Sequence, residues 1–88
     1  MYFIYILRSS FKGRYYIGHT VNVLDRLREH NRGWVRSTKS GIPWVIVYSE
    51  KFRTKQNAVR RELQIKSYKG GEVFKRLVSK ELVPAVGV

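Results

Sequence analysis

The chain has 88 residues, 43% of them apolar, including four Phe, two Trp and six Tyr, which describes one domain with one core and excludes disorder. Zero cysteines exclude disulfide scaffolds, thiol nucleophiles and cysteine-zinc sites. Charged residues make up an ordinary 27%, but 18 Lys and Arg against six Asp and Glu give +12, so the expected partner is a polyanion, nucleic acid first.

Tyr2 to Leu7 is an apolar run of aromatic and β-branched residues, which predicts a strand buried on both faces. Ser9 to Gly13 reads as a turn and Arg14 to Gly18 as the returning strand of a hairpin. Asn22 is the expected N-cap of a first helix, with Asp25 in its first turn, Val23, Leu24 and Leu27 on its apolar face, and Asn31 to Gly33 as its stop. Residues 34–42 read as a basic, mobile loop, and Trp44 to Tyr48 as a third strand. Thr54 caps a second helix over about 55–68, ended by Gly70 and Gly71. Glu72 to about Lys80 forms a third helix, and residues 81–88 a frayed tail beyond a domain of 1–80.

The predicted order is ββαβαα, an α+β layer with a small, mainly antiparallel three-stranded sheet flanked by helices. Residues 1–50 carry eight basic and three acidic side chains and 51–80 carry ten and two, so the charge covers the whole domain. No apolar run approaches a membrane span and no leader precedes the first strand, so a cytoplasmic, membrane-free protein is expected.

Several side chains are candidates for chemistry. Opposed hairpin residues share a constant sum of numbers: a sum of 21 sets Tyr5 against Tyr16, while 20 or 22 puts them on opposite faces. Read from the hairpin alone, both are core residues first. Gly18, inside a strand pattern, marks a bulge, a turn or a close approach to the backbone. Arg26 and His30, four apart on the first helix, stand at the edge of its buried face, suited to phosphate and to proton transfer, or else solvated. Glu62 falls in line with Ala58 and Ile65 on the second helix. A carboxylate there must bind a cation or be paired, by Lys66 at i+4 or by an arginine of a neighbouring strand.

Together these features resemble the GIY-YIG nuclease family, in particular its small single-domain bacterial members. The signature triplets stand as Phe3-Ile4-Tyr5 and Tyr16-Ile17-Gly18, followed by Asp25-Arg26-Leu27, Glu29-His30-Asn31 and Ala58 to Glu62. The resemblance implies hydrolysis of a DNA phosphodiester with Mg²⁺ or Mn²⁺, in repair, recombination or foreign-DNA turnover. It implies a catalytic set of Tyr5, Tyr16, Arg26, His30 and Glu62. Glu62 would be the metal ligand, Arg26 the phosphate clamp, the tyrosines the water-activating groups, and His30 a proton carrier or phosphate contact. His19 follows the second triplet, where some relatives place a phosphate-contacting lysine. Arg14, Arg28, Arg36, Lys39 and Lys66 are further expected DNA contacts, and Trp34 could stack on an unpaired base of branched or single-stranded DNA. Phe3 replaces the first glycine of the signature, and no Asn follows Asn57, where several relatives use one. With no room for a targeting module, sequence-tolerant phosphate contacts are expected, with a protein partner as a possible source of targeting. The alternative is a nucleic-acid-binding module that kept the scaffold and lost turnover.

Overall fold

A computed structural model describes residues 1–80, so the predicted tail at 81–88 lies outside the described residues. The elements are β1 (Tyr2–Ser9), β2 (Tyr15–Thr20), α1 (Val23–Asn31), a 3₁₀ helix (Arg36–Gly41), β3 (Trp44–Phe52), α2 (Lys55–Lys66) and α3 (Glu72–Lys80). β1 is the central strand of an antiparallel sheet in the order β2-β1-β3. Its central position explains why Ile4, Tyr5, Ile6 and Leu7 are all buried. No helix among the described residues is long and apolar enough to cross a membrane.

The sheet is covered on both sides. Alternation sends Ile4, Ile6 and Ile17 to one face, where they pack with Ala58 and Ile65 of α2 and Phe74, Leu77 and Val78 of α3. Tyr5, Leu7 and Trp44 point the other way, against Tyr16, Ile46, and Val23 and Leu27 of α1. Each fully buried aliphatic side chain contributes about 1.5–3 kcal/mol, so two such clusters are enough to anchor a chain of this size.

Helix ends follow local chemistry. The Asn22 side chain accepts the Asp25 amide at 3.0 Å, and Thr54 accepts that of Asn57 at 3.1 Å. α1 stops at Gly33, whose φ of +79° suits a residue without Cβ. The Trp34 amide reaches back to the Glu29 carbonyl at 3.0 Å and that of Gly33 to His30 at 3.1 Å, a Schellman closure.

Three expectations need correction. Leu24 faces solvent, because the α1 contact with the sheet is made by Val23 and Leu27. The strands run further than expected, to Ser9, Thr20 and Phe52, because polar residues such as Ser49 and Lys51 take ladder positions opposite β1. The segment read as a mobile loop contains a 3₁₀ helix with Thr38 and Gly41 buried. Trp44 accounts for it: its indole N–H donates to the Thr38 carbonyl at 2.8 Å, and its ring lies where a Cβ on Gly41 would sit, 2.5 Å away.

Candidate active site

The β1–β2 register has opposed residues summing to 23, a value outside the alternatives weighed from sequence. Tyr5 therefore opposes Gly18, and Tyr16 opposes Leu7. The tyrosines still share a face, as diagonal neighbours with ring centroids 6.2 Å apart. Gly18 is explained by the same geometry. The Tyr5 ring lies across it, and a Cβ there would meet the Tyr5 hydroxyl at 2.8 Å and the Tyr16 ring at 3.1 Å.

His30, which could have been a surface residue, is fully buried. Its Nε2 lies 2.9 Å from the Tyr5 hydroxyl and its Nδ1 2.7 Å from the Thr38 hydroxyl. The Tyr16 ring stands 4.9 Å from the imidazole, closing a cluster of three rings. A ring so enclosed touches Tyr5 and Thr38, which leaves no open face for a phosphate. Burial lowers the His30 pKa from 6.5 to about 4, helped by the Arg26 charge and opposed by that of Glu29. Burial also pushes Tyr5 up to about 12; Arg26 acts against that rise, while Tyr16 and the Glu62 charge add to it. The resting pair is thus a neutral phenol and a neutral imidazole.

Arg26 is one-third exposed and donates to Glu29 at 2.7 Å, one turn along α1. That partner orients the guanidinium beside Tyr5 and leaves part of it open to an anion. Glu62 approaches from the opposite face of the sheet, on α2, three residues before the buried Ile65. Its Oε1 accepts from His19 Nδ1 at 2.5 Å and its Oε2 from Lys66 Nζ at 2.6 Å. Burial alone would raise its pKa, but the hydrogen bonds from Lys66 and His19 outweigh that and hold it below the usual carboxylate range. Tyr5 bonds His30 and lies against Tyr16, and the charges of Arg26 and Glu62 act on it.

Among the described residues no three His, Cys, Asp or Glu side chains gather into a metal cluster. A hard divalent ion can nevertheless be held by one carboxylate together with waters and a substrate phosphate. The Glu62 side chain is only 12% exposed, whereas that of Lys66 is 49% exposed. The Lys66 end of the pair is open to solvent, and an arriving cation would replace its charge at Oε2, so the ionised carboxylate fits such an ion.

The expected DNA contacts are scattered around this centre. His19 and Lys66 adjoin Glu62. Arg14 donates to Ser40 at 2.7 Å and Arg28 to Asp25 at 2.7 Å, both exposed, and Arg36 and Lys39 lie exposed on the 3₁₀ helix. Trp34 is 67% exposed, with the Arg32 guanidinium 5.3 Å from its ring centroid. Sequence reasoning missed Arg32 as the partner of Trp34, and Thr38 as the partner of His30.

The chain thus carries a two-tyrosine hairpin, an Arg and His four apart on the following helix, and a carboxylate on a later helix. The GIY-YIG catalytic domain family matches residues 1–74. Similar proteins include the UPF0213 proteins of Staphylococcus aureus strains Mu3, Mu50 and N315, each 40% identical over 68 residues, 76% of this chain and 82% of theirs. The chain belongs to the GIY-YIG family of nucleases, whose members generally use divalent metals.

Proposed function

We propose that the protein is a divalent-metal-dependent DNA endonuclease of relaxed sequence specificity, acting in the cytoplasm in repair, recombination or turnover of foreign DNA. The observation that supports this reading is the cluster of Tyr5, Tyr16 and His30, with Arg26 beside it and the Glu62 charge acting on Tyr5 from the other face of the sheet.

In this reading the Arg26 guanidinium binds the scissile phosphate and stabilises the charge that grows on it. Glu62 holds Mg²⁺ or Mn²⁺, which supplies charge neutralisation and a more acidic attacking water. Tyr5 accepts the proton of that water while passing its own to His30, and Tyr16 packs against both rings and helps place the water. Magnitudes show that the resting pair cannot take up that proton unaided. With Tyr5 at about 12 and His30 at about 4, transfer within the resting pair would cost on the order of 10 kcal/mol. The acidity of the attacking water must therefore supply the difference. His19, Lys66, Arg14, Arg28, Arg36 and Lys39 supply phosphate contacts. Trp34, stiffened by Arg32, offers a face to an unpaired base of branched or single-stranded DNA.

A plasmid-nicking assay with Mg²⁺ or Mn²⁺ tests the proposal. The wild type should nick, and Arg26→Ala and Glu62→Gln should each lose about 100-fold or more while keeping their circular dichroism. Equal nicking by Glu62→Gln would remove the mechanism. One observation favours the second reading, a binding module without turnover: both oxygens of Glu62 are already held by His19 and Lys66. That reading requires salt-dependent DNA binding and no cleavage with any divalent ion.

A further inference from the structure

We propose that Thr38 is a positioning residue that fixes the tautomer of His30 and aims its unprotonated nitrogen at Tyr5. A threonine hydroxyl has one hydrogen to give and lone pairs to receive with. Thr38 Oγ1 lies 3.2 Å from the Val35 carbonyl, which can only accept, and 2.7 Å from His30 Nδ1. With its hydrogen given to Val35, the hydroxyl faces the imidazole as an acceptor, so Nδ1 carries the proton. Nε2 is then a lone pair, 2.9 Å from the Tyr5 hydroxyl, which donates to it.

The reverse direction fails at its other end. If Nε2 carried the proton, it would donate to the Tyr5 oxygen and the phenolic hydrogen would need another acceptor. Tyr5 is 1% exposed, and no other acceptor lies within bonding distance of its hydroxyl among the described residues. The neighbouring Arg26 only donates. A buried hydroxyl left without a protein partner is costly, so in the resting, substrate-free site the direction is Tyr5 to His30 to Thr38 to Val35.

Thr38 is held for this task. Asn31, next to His30, accepts the Trp44 amide at 2.7 Å and donates to the Trp44 carbonyl at 3.0 Å, tying α1 to β3. Trp44 in turn holds the Thr38 carbonyl, and Ser9 of β1 donates to the Gly41 carbonyl at 2.6 Å. The 3₁₀ helix is thus tied to the elements that carry His30 and Tyr5.

The catalytic consequence rests on the nuclease reading above. One O–H bond of the water breaks as a new Tyr5 O–H bond forms, and the original phenolic proton leaves Tyr5 to form a bond with His30 Nε2. The hydroxide oxygen bonds to phosphorus and the leaving oxygen departs with its electron pair. A proton already on Nε2 would block the relay.

The test is long-range ¹H–¹⁵N correlation spectroscopy of the two imidazoles near pH 7, assigned with His19→Gln, alongside steady-state cleavage. Wild type and Thr38→Ser should show His30 protonated at Nδ1 alone. Thr38→Val, which keeps the shape and loses the hydroxyl, should show a mixed or Nε2-protonated ring. Its kcat should fall about 10-fold or more with KM for DNA unchanged, while Thr38→Ser stays close to wild type. An Nε2-protonated His30 in the wild type overturns the proposal, as does an unchanged tautomer in Thr38→Val. If Thr38→Val fails to fold, the wild-type spectrum still decides. The expected spectra without any cleavage by the wild type would sustain the tautomer assignment and overturn the nuclease reading instead.

Discussion

Burial keeps Tyr5 and His30 neutral, and that has a cost in acid. His30 titrates near 6.5 in the unfolded chain and at about 4 in the fold, so between those values the unfolded state binds the extra proton. Stability should therefore fall as pH drops through that window, by up to about 3 kcal/mol from this residue. Glu62, also held below its ordinary value, adds its own loss only below about pH 4.5. Urea denaturation at pH 7 and pH 5 checks this: the wild type should lose stability, and His30→Gln should flatten the difference. An equal slope in both would show that His30 is not the buried neutral base. At this scale Tyr5, Tyr16, Arg26 and Glu62 were legible because short motifs name them. Thr38 was not, because a hydroxyl eight residues beyond its histidine, across an irregular turn, leaves no period in the sequence.

α1 and β2 place most of these groups, and both depend on single residues without spare tolerance. Asn22→Ala removes the cap of α1 and should cost about 1 kcal/mol, measured by denaturation. Gly18→Ala is the sharper case. Its methyl would sit 2.8 Å from the Tyr5 hydroxyl, so the ring must move. The expected result is a loss of about 1–3 kcal/mol in stability and a larger relative loss in cleavage than in DNA binding. A variant that cleaves normally would show that the position of the Tyr5 hydroxyl is not critical. Helix caps and strand identities could be read in advance because Asn22, Thr54 and Gly33 act on their immediate neighbours. The hairpin register could not, since it depends on where the Ser9–Gly13 turn closes, and either parity suits an apolar β1 buried on both faces. The 3₁₀ helix was invisible for a related reason: Trp44, later in the chain, creates it.

The molecule as a whole carries +12 on 88 residues, with basic side chains on every element from α1 onward. Binding to DNA should therefore weaken steeply with salt, the logarithm of affinity falling linearly with that of salt concentration at about 0.9 per phosphate neutralised on duplex DNA. Fluorescence anisotropy at several salt concentrations measures that slope, and Arg36→Ala or Lys39→Ala should each lower it by up to about one without abolishing cleavage. A salt-independent affinity would contradict the phosphate-led contact mode. Charge and size gave the partner class from composition alone. What composition could not give is that the sheet buries both faces, with α2, which carries Glu62, on one and α1, which carries Arg26, on the other. The most direct test measures binding and cleavage of one labelled flap DNA side by side, with and without Mn²⁺, by the wild type and by Glu62→Gln. The wild type should bind in both conditions and cleave only with the metal, and the variant should bind alike and leave the DNA intact. Wild-type protein that binds and never cleaves, or a variant that cleaves as fast, would contradict the assignment of Glu62 and its neighbours as a hydrolytic site.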